Sequence, residues 1–86
     1  EIEAALLEHP LIAECAVIGL PDDTWGEAVT SVVVLKSDTA LELAALRDWC
    51  KSRMSVYKIP QGLRIVPELP RNAMGKVTKP AVRALF

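Results

Sequence analysis

Between residues 69 and 79 the chain reads Leu69-Pro70-Arg71-Asn72-Ala73-Met74-Gly75-Lys76-Val77-Thr78-Lys79, the stretch whose residue types are best placed to do chemistry. A lysine directly after a glycine is a flexible point charge with three donors, suited to stabilising anionic oxygens rather than to base chemistry. The Gly75-Lys76 pair invites comparison with a Walker phosphate loop. Such a loop needs glycine where this chain has Pro70, and a hydroxyl to hold magnesium where it has Val77. Lys76 therefore stands on an ordinary surface loop, either as a charge presented to an anionic ligand or as a solvated lysine. Arg71 and Lys79 read as supports of that loop rather than as catalytic groups.

The other reactive residues are scattered. His9, the only histidine, sits near the end of a helical stretch and is expected to face solvent. Cys15 and Cys50 lie on separate apolar segments with no second Cys or His at ligand spacing, so they read as reduced, buried thiols, and no metal site is expected. Trp25 lies in the turn Pro21-Asp22-Asp23-Thr24-Trp25-Gly26-Glu27, where it either meets a partner surface or covers a sheet.

The elements that must position these residues follow from pattern. Ile2, Ala5 and Leu6 are at helical spacing and Pro10 ends the pattern. The chain thus opens inside a helix without an N-cap, which suggests a piece of a longer polypeptide. Cys15-Ala16-Val17-Ile18 reads as a strand closed by the Pro21-Asp22-Asp23 turn. Residues 28–35 have apolar side chains on both alternating faces, as expected of a central strand covered on both sides. The link between these strands is too short for a crossover helix, so they should pair antiparallel across residues 20–27. Thr39 followed by Glu42 fits a capping box that would start a helix. Leu43, Leu46, Trp49, Cys50 and Met54 form its apolar stripe, and Glu42, Arg47, Lys51 and Arg53 its wet side. Leu63-Arg64-Ile65-Val66 alternates before Pro67, which suits an edge strand. Residues 67–75 have the composition of an ordered surface loop, and Thr78 can cap a closing helix with Pro80 in its first turn. The expected fold is α+β, a small, mostly antiparallel sheet of about three strands flanked by helices.

Size and composition exclude several functions. At 86 residues there is one core, and a cavity enclosing a nucleotide and an organic substrate would remove much of its packing. A complete two-substrate enzyme is not expected. Ten Lys plus Arg against 11 Asp plus Glu give a net charge of −1, no cationic field for nucleic acid or anionic lipid. The longest apolar run, Val32-Val33-Val34-Leu35, is far short of the roughly 20 residues that span a bilayer.

Four stretches, taken together and in order, resemble the small C-terminal domain of the adenylate-forming superfamily of acyl-CoA synthetases, aryl-CoA ligases, peptide-synthetase adenylation domains and luciferases. Glu1-Ile2-Glu3 resembles the end of its hinge-side motif, and the stretch from Val17-Ile18-Gly19 to Trp25-Gly26-Glu27 its strand and turn. Tyr57-Lys58-Ile59-Pro60 resembles its Y-x-x-P element, and Leu69-Pro70 through Gly75-Lys76 to Lys79 its closing catalytic motif. Among subfamilies, Trp-Gly-Glu with Pro-Arg-Asn-x-Met-Gly-Lys is most similar to malonyl-CoA and short- or medium-chain acyl-CoA synthetases.

The resemblance implies that Lys76 enters an active site during adenylation, contacting the carboxylate substrate and the α-phosphate, with Gly75 giving the loop its reach. It implies a second state in which the domain rotates on a large N-terminal domain and offers its opposite face to CoA, near Trp25, Tyr57 and Lys58. Ile59 and Gln61 stand where some aryl-CoA ligases have basic residues. ATP, magnesium held mainly by the larger domain, CoA, a carboxylic acid and that N-terminal domain are the implied ligands and partners. The implied setting is intracellular, the cytoplasm or the mitochondrial matrix. The hinge residue, phosphate loop, ribose-binding acid and acyl pocket of the family are not in these 86 residues, so the chain alone is expected to be inactive. Two alternatives stand beside this: loading of a pantetheinyl carrier protein instead of CoA, and a freestanding α+β binding module.

Overall fold

The computed structural model describes residues 2–24, 26–37 and 39–86, so Glu1, Trp25 and Asp38 lie outside the description. Strand β1 (Ile12–Asp22) pairs antiparallel with β2 (Gly26–Leu35), which pairs parallel with β3 (Gly62–Ile65), giving the order β1-β2-β3. The architecture is the expected three-stranded α+β domain with β2 central, and the parallel β3 makes the sheet mixed. A parallel neighbour requires a crossover, and residues 36–61 supply it by carrying helix α2 (Leu43–Cys50) across one face. β1 runs beyond the apolar segment Cys15–Ile18 because the ladder with β2 sets its ends: Ile12 pairs Leu35 and Asp22 pairs Gly26. Pro21 is tolerated there because β1 is an edge strand.

Alternation along β2 divides the interior into two cores. Val33 faces Leu6, Ile12, Leu41, Leu46, Cys50 and Ile59, under helix α1 (Ile2–Leu6) and α2. Val32 faces Ala16, Ile18, Leu69 and Val82, under helix α3 (Lys79–Arg83). Each fully buried aliphatic side chain contributes about 1.5–3 kcal/mol relative to exposure, so both faces are held by apolar burial.

The outer edge of β1 is closed by side chains instead of a strand. Val17 N–H donates to Glu3 Oε2 at 2.8 Å, Val17 O accepts from Lys79 Nζ at 2.6 Å, and Glu3 and Lys79 form an ion pair. This clasp joins α1 to α3 across the edge and leaves the Val17 peptide no free donor or acceptor for another strand. Partial burial pushes the Glu3 carboxyl up. The hydrogen bonds from Lys79 and Val17 and the Lys79 charge outweigh it and hold that carboxyl below its ordinary value.

Four local expectations are corrected. No capping box starts α2: the Thr39 hydroxyl donates to Lys36 O at 2.6 Å, and Glu42 is the N-cap without a side-chain cap bond. Leu41 is buried in the first core, and reaching it keeps the chain extended through Glu42. Arg47 is not on a wet face, since it is half-buried and donates to Pro60 O at 2.7 Å. Thr78 is the N-cap of α3, with Pro80 in its first turn, but its hydroxyl makes no cap bond. His9 is buried, as described below. Among the described residues no helix is long and apolar enough to cross a membrane.

Candidate functional site

Lys76 sits on a self-closed hairpin. Arg71 and Val77 form an antiparallel bridge, and within it Gly75 N–H donates to Asn72 O at 2.9 Å while Asn72 N–H donates to Lys76 O at 2.8 Å. The turn passes through the left-handed region at Gly75, φ +81°, which only glycine adopts freely. A Cβ built there would meet nothing within 4 Å, so glycine is demanded by backbone conformation and not by space. Asn72 Oδ1 accepts from Met74 N–H and from Lys76 N–H, both at 2.9 Å.

Leu69, Val77 and Val82 anchor the base of the hairpin in the second core. Arg71 ties it to β1, donating to Gly75 O at 3.1 Å and to Glu14 Oε1 at 2.6 Å. Arg71 thus braces the loop, whereas the bonds of Lys79 go to Glu3 and Val17 at the edge of β1 and not to the loop. Lys76 is exposed, and among the described residues its ammonium makes no hydrogen bond or ion pair. Rigid below and unpaired at the tip, it can approach an external anion without first breaking a bond of its own.

The candidates at the Y-x-x-P element lie on the other side of the sheet. Tyr57 and Lys58 belong to a 3₁₀ turn (Val56–Lys58) pinned by Ile59, which is packed in the first core, and by the buried Pro60. Tyr57 is 77% exposed and lines a groove of about 480 Å³ with Glu27, Val29, Arg47, Val56 and Gln61. Its lining joins the Arg47 guanidinium, the Tyr57 phenol, the Gln61 amide and the Glu27 carboxylate to apolar Val29 and Val56, a mixed surface suited to an elongated ligand with both polar and apolar parts. Lys58 is exposed outside that lining, Ile59 is too buried to meet a ligand, and Gln61 is in the groove. Lys76 and Gly75 do not line it, so Lys76 and Tyr57 are not brought together. Arg47 was missed from sequence because its groove is assembled from β2, α2 and the 3₁₀ turn. Trp25 lies outside the described residues.

Among the described residues no second reactive centre competes with these. Both cysteines are free; burial first, and then the nearby Glu3 charge, pushes the Cys15 thiol up to about 11, and burial raises the thiol of Cys50. Neither is a ready nucleophile at neutral pH. Among the described residues no group of three or more His, Cys, Asp or Glu is arranged to hold a metal ion.

His9 is 6% exposed, its ring 4.8 Å from that of Trp49, and Nδ1 accepts Leu11 N–H at 3.1 Å. Arg53 lies over the same indole, 4.1 Å from its centroid. Burial first, and the Arg53 charge second, push the imidazolium pKa below its ordinary 6.5. The unfolded chain then binds the proton more readily. Stability should be complete above pH 6.5 and fall as pH drops below it, by at most ~1.4 kcal/mol per pH unit. Urea unfolding between pH 7.5 and 5 checks this, and His9→Gln should flatten that part of the profile. An unchanged profile in the variant would assign the acid sensitivity to other groups.

Residues 1–76 match the family described as the AMP-binding enzyme C-terminal domain. A CoA ligase from Gibberella moniliformis is 49% identical over 81 residues, which are 92% of this chain and 14% of the relative. The human mitochondrial malonate–CoA ligase is 45% identical over 95% of this chain and 14% of its own length. Among solved structures, apo MatB from Rhodopseudomonas palustris superposes with TM-score 0.91 at 36% identity, covering 98% of this chain and 17% of that one. This chain thus spans only about one seventh of the curated relatives, 14% in both cases.

Proposed function

Given that the chain belongs to the family of C-terminal domains of AMP-binding enzymes, we propose that it is the catalytic lid of an ATP-dependent acid–thiol ligase, working with a large N-terminal domain. In the first half-reaction a carboxylate oxygen attacks the α-phosphorus of ATP, and pyrophosphate leaves with the broken P–O bond. Lys76 is the catalytic residue. Two anions must meet while charge builds on the phosphoryl oxygens, and a cation held at the reacting centre lowers both costs. In the second, the CoA thiol attacks the acyl carbonyl, loses its proton, and AMP departs. For this step the domain turns, and the face bearing Tyr57 and Lys58 receives the thiol substrate, with Trp25 as a further CoA contact. Magnesium would be held chiefly by the larger domain. The enzyme works in a compartment that supplies ATP and CoA, the cytoplasm or the mitochondrial matrix.

The observation that carries this reading is the unpaired ammonium of Lys76 on a hairpin braced by its own bonds. The Tyr57 groove on the opposite face supports the use of two faces in turn. Malonate is the first acid to try, because the human, bovine, mouse and Arabidopsis relatives bear the name malonate–CoA ligase.

The test uses the full-length polypeptide that carries this domain, with malonate, o-succinylbenzoate and a medium-chain fatty acid offered separately. Acid-dependent ATP–pyrophosphate exchange and CoA-dependent thioester formation are expected, whereas these 86 residues alone should do neither. Thioester formation on a pantetheinyl carrier protein but not on CoA would move the domain to the carrier-loading class. Salt-sensitive binding of a labelled oligonucleotide without exchange would favour a freestanding binding module. In the same enzyme Trp25→Ala should raise the KM for CoA more than that for ATP, and an equal CoA requirement would make Trp25 a packing residue.

A further inference from the structure

Every backbone polar group of Lys76 terminates on one residue: its N–H on Asn72 Oδ1 at 2.9 Å, and its C=O on Asn72 N–H at 2.8 Å. The same Oδ1 takes Met74 N–H at 2.9 Å, and Asn72 O takes Gly75 N–H at 2.9 Å. A single side-chain oxygen thus holds the residues on both sides of Gly75, the most permissive point of the hairpin. Arg71 anchors the loop from outside, through Gly75 O and Glu14, and among the described residues makes no hydrogen bond to Lys76 itself. Asn72 is exposed and belongs to neither core, so its four bonds, and not apolar burial, fix it in place.

We infer that Asn72 is the positioning residue for Lys76, fixing the path of the 72–76 turn so that the ammonium is delivered to one place when the domain closes. The inference rests on the adenylation role of Lys76. Asparagine and, more weakly, serine or threonine can accept from backbone two residues on, which is the chemistry the turn uses. Alanine keeps the main-chain bonds and the Arg71 tie to Gly75 O but removes Oδ1, releasing the Met74 and Lys76 N–H groups so that the turn about Gly75 can shift the lysine; a misplacement of about 1 Å at a reacting centre costs on the order of 10²-fold in rate.

The test measures both half-reactions in the full-length protein, using whichever of malonate, o-succinylbenzoate or a medium-chain fatty acid the wild type activates best. Asn72→Ala should lower kcat for ATP–pyrophosphate exchange about 10²-fold with little change in KM for ATP, while thioester formation from supplied acyl-AMP and the Tm stay at wild-type values. Asn72→Ser, which restores an acceptor, should recover most of the exchange rate. Exchange unaltered in Asn72→Ala, or no recovery with serine, overturns the positioning role. Equal loss of both half-reactions with a lowered Tm also overturns it, by making Asn72 a folding residue. Lys76→Ala run alongside separates the two claims: if it too leaves exchange intact, the adenylation role of Lys76 has failed, whereas a loss confined to Lys76→Ala rejects Asn72 alone.

Discussion

Lys76→Ala in the full-length protein should reduce acid-dependent ATP–pyrophosphate exchange by about 10²–10³-fold, the usual loss when one preorganised charge-stabilising group is removed. Thioester formation from supplied acyl-AMP should continue, because in the proposed mechanism the second half-reaction uses the face that carries Tyr57. Stability should not change, since the side chain is exposed and bonded to nothing among the described residues. Lys76→Arg should recover little: guanidinium is a planar fork on a longer reach, not a compact ammonium. Equal loss of both half-reactions would make Lys76 structural and contradict the split between faces.

Leu46→Ala should have the largest effect on the fold. Leu46 is 0% exposed and shares the first core with Leu6, Ile12, Val33, Leu41, Cys50 and Ile59, drawn from α1, the sheet, the loop before α2, α2 itself and the residue that ends the 3₁₀ turn. Truncation at such a site costs about 2–5 kcal/mol, a large share of the 5–15 kcal/mol that holds a typical domain together. For a chain of this length each kcal/mol lowers Tm by about 4–8 °C, so a fall of ~8–40 °C is expected by calorimetry. Leu7→Ala, at a half-exposed position directly after α1, should cost far less. A fall of only a few degrees for Leu46→Ala would mean that the first core is not the main source of stability.

How much of this was readable without coordinates differs by feature, for physical reasons. The β1–β2 hairpin and the two-sided β2 were legible because alternation and a short link constrain pairing strongly. So was the loop of Lys76, whose prolines, glycine and polar residues have the composition of a surface loop. The parallel pairing of β3 was not, because direction depends on where α2 carries the chain and not on the four residues of the strand. The Thr39–Glu42 pattern misled because burial of Leu41 outweighs a capping box of roughly 1 kcal/mol. His9 was expected in solvent because its cover, Trp49, lies 40 positions along the chain. The Arg71–Glu14 pair and the groove of Arg47 are equally non-local, and no spacing rule finds them.

The central claim, that the Lys76 amine reaches the reacting phosphate, is tested most directly by chemical labelling of the full-length protein. An adenosine bearing a sulfonyl fluoride at its 5′ position places an electrophile where the α-phosphate of ATP would sit. Attack by a neighbouring amine forms an N–S bond and releases fluoride and a proton. Peptide mass mapping should find the adduct on Lys76, suppressed by excess ATP with the acid substrate, and little of it on the exposed Lys36 or Lys51. Labelling of Lys76 no greater than that of Lys36 and Lys51, or unaffected by ATP, would contradict the claim.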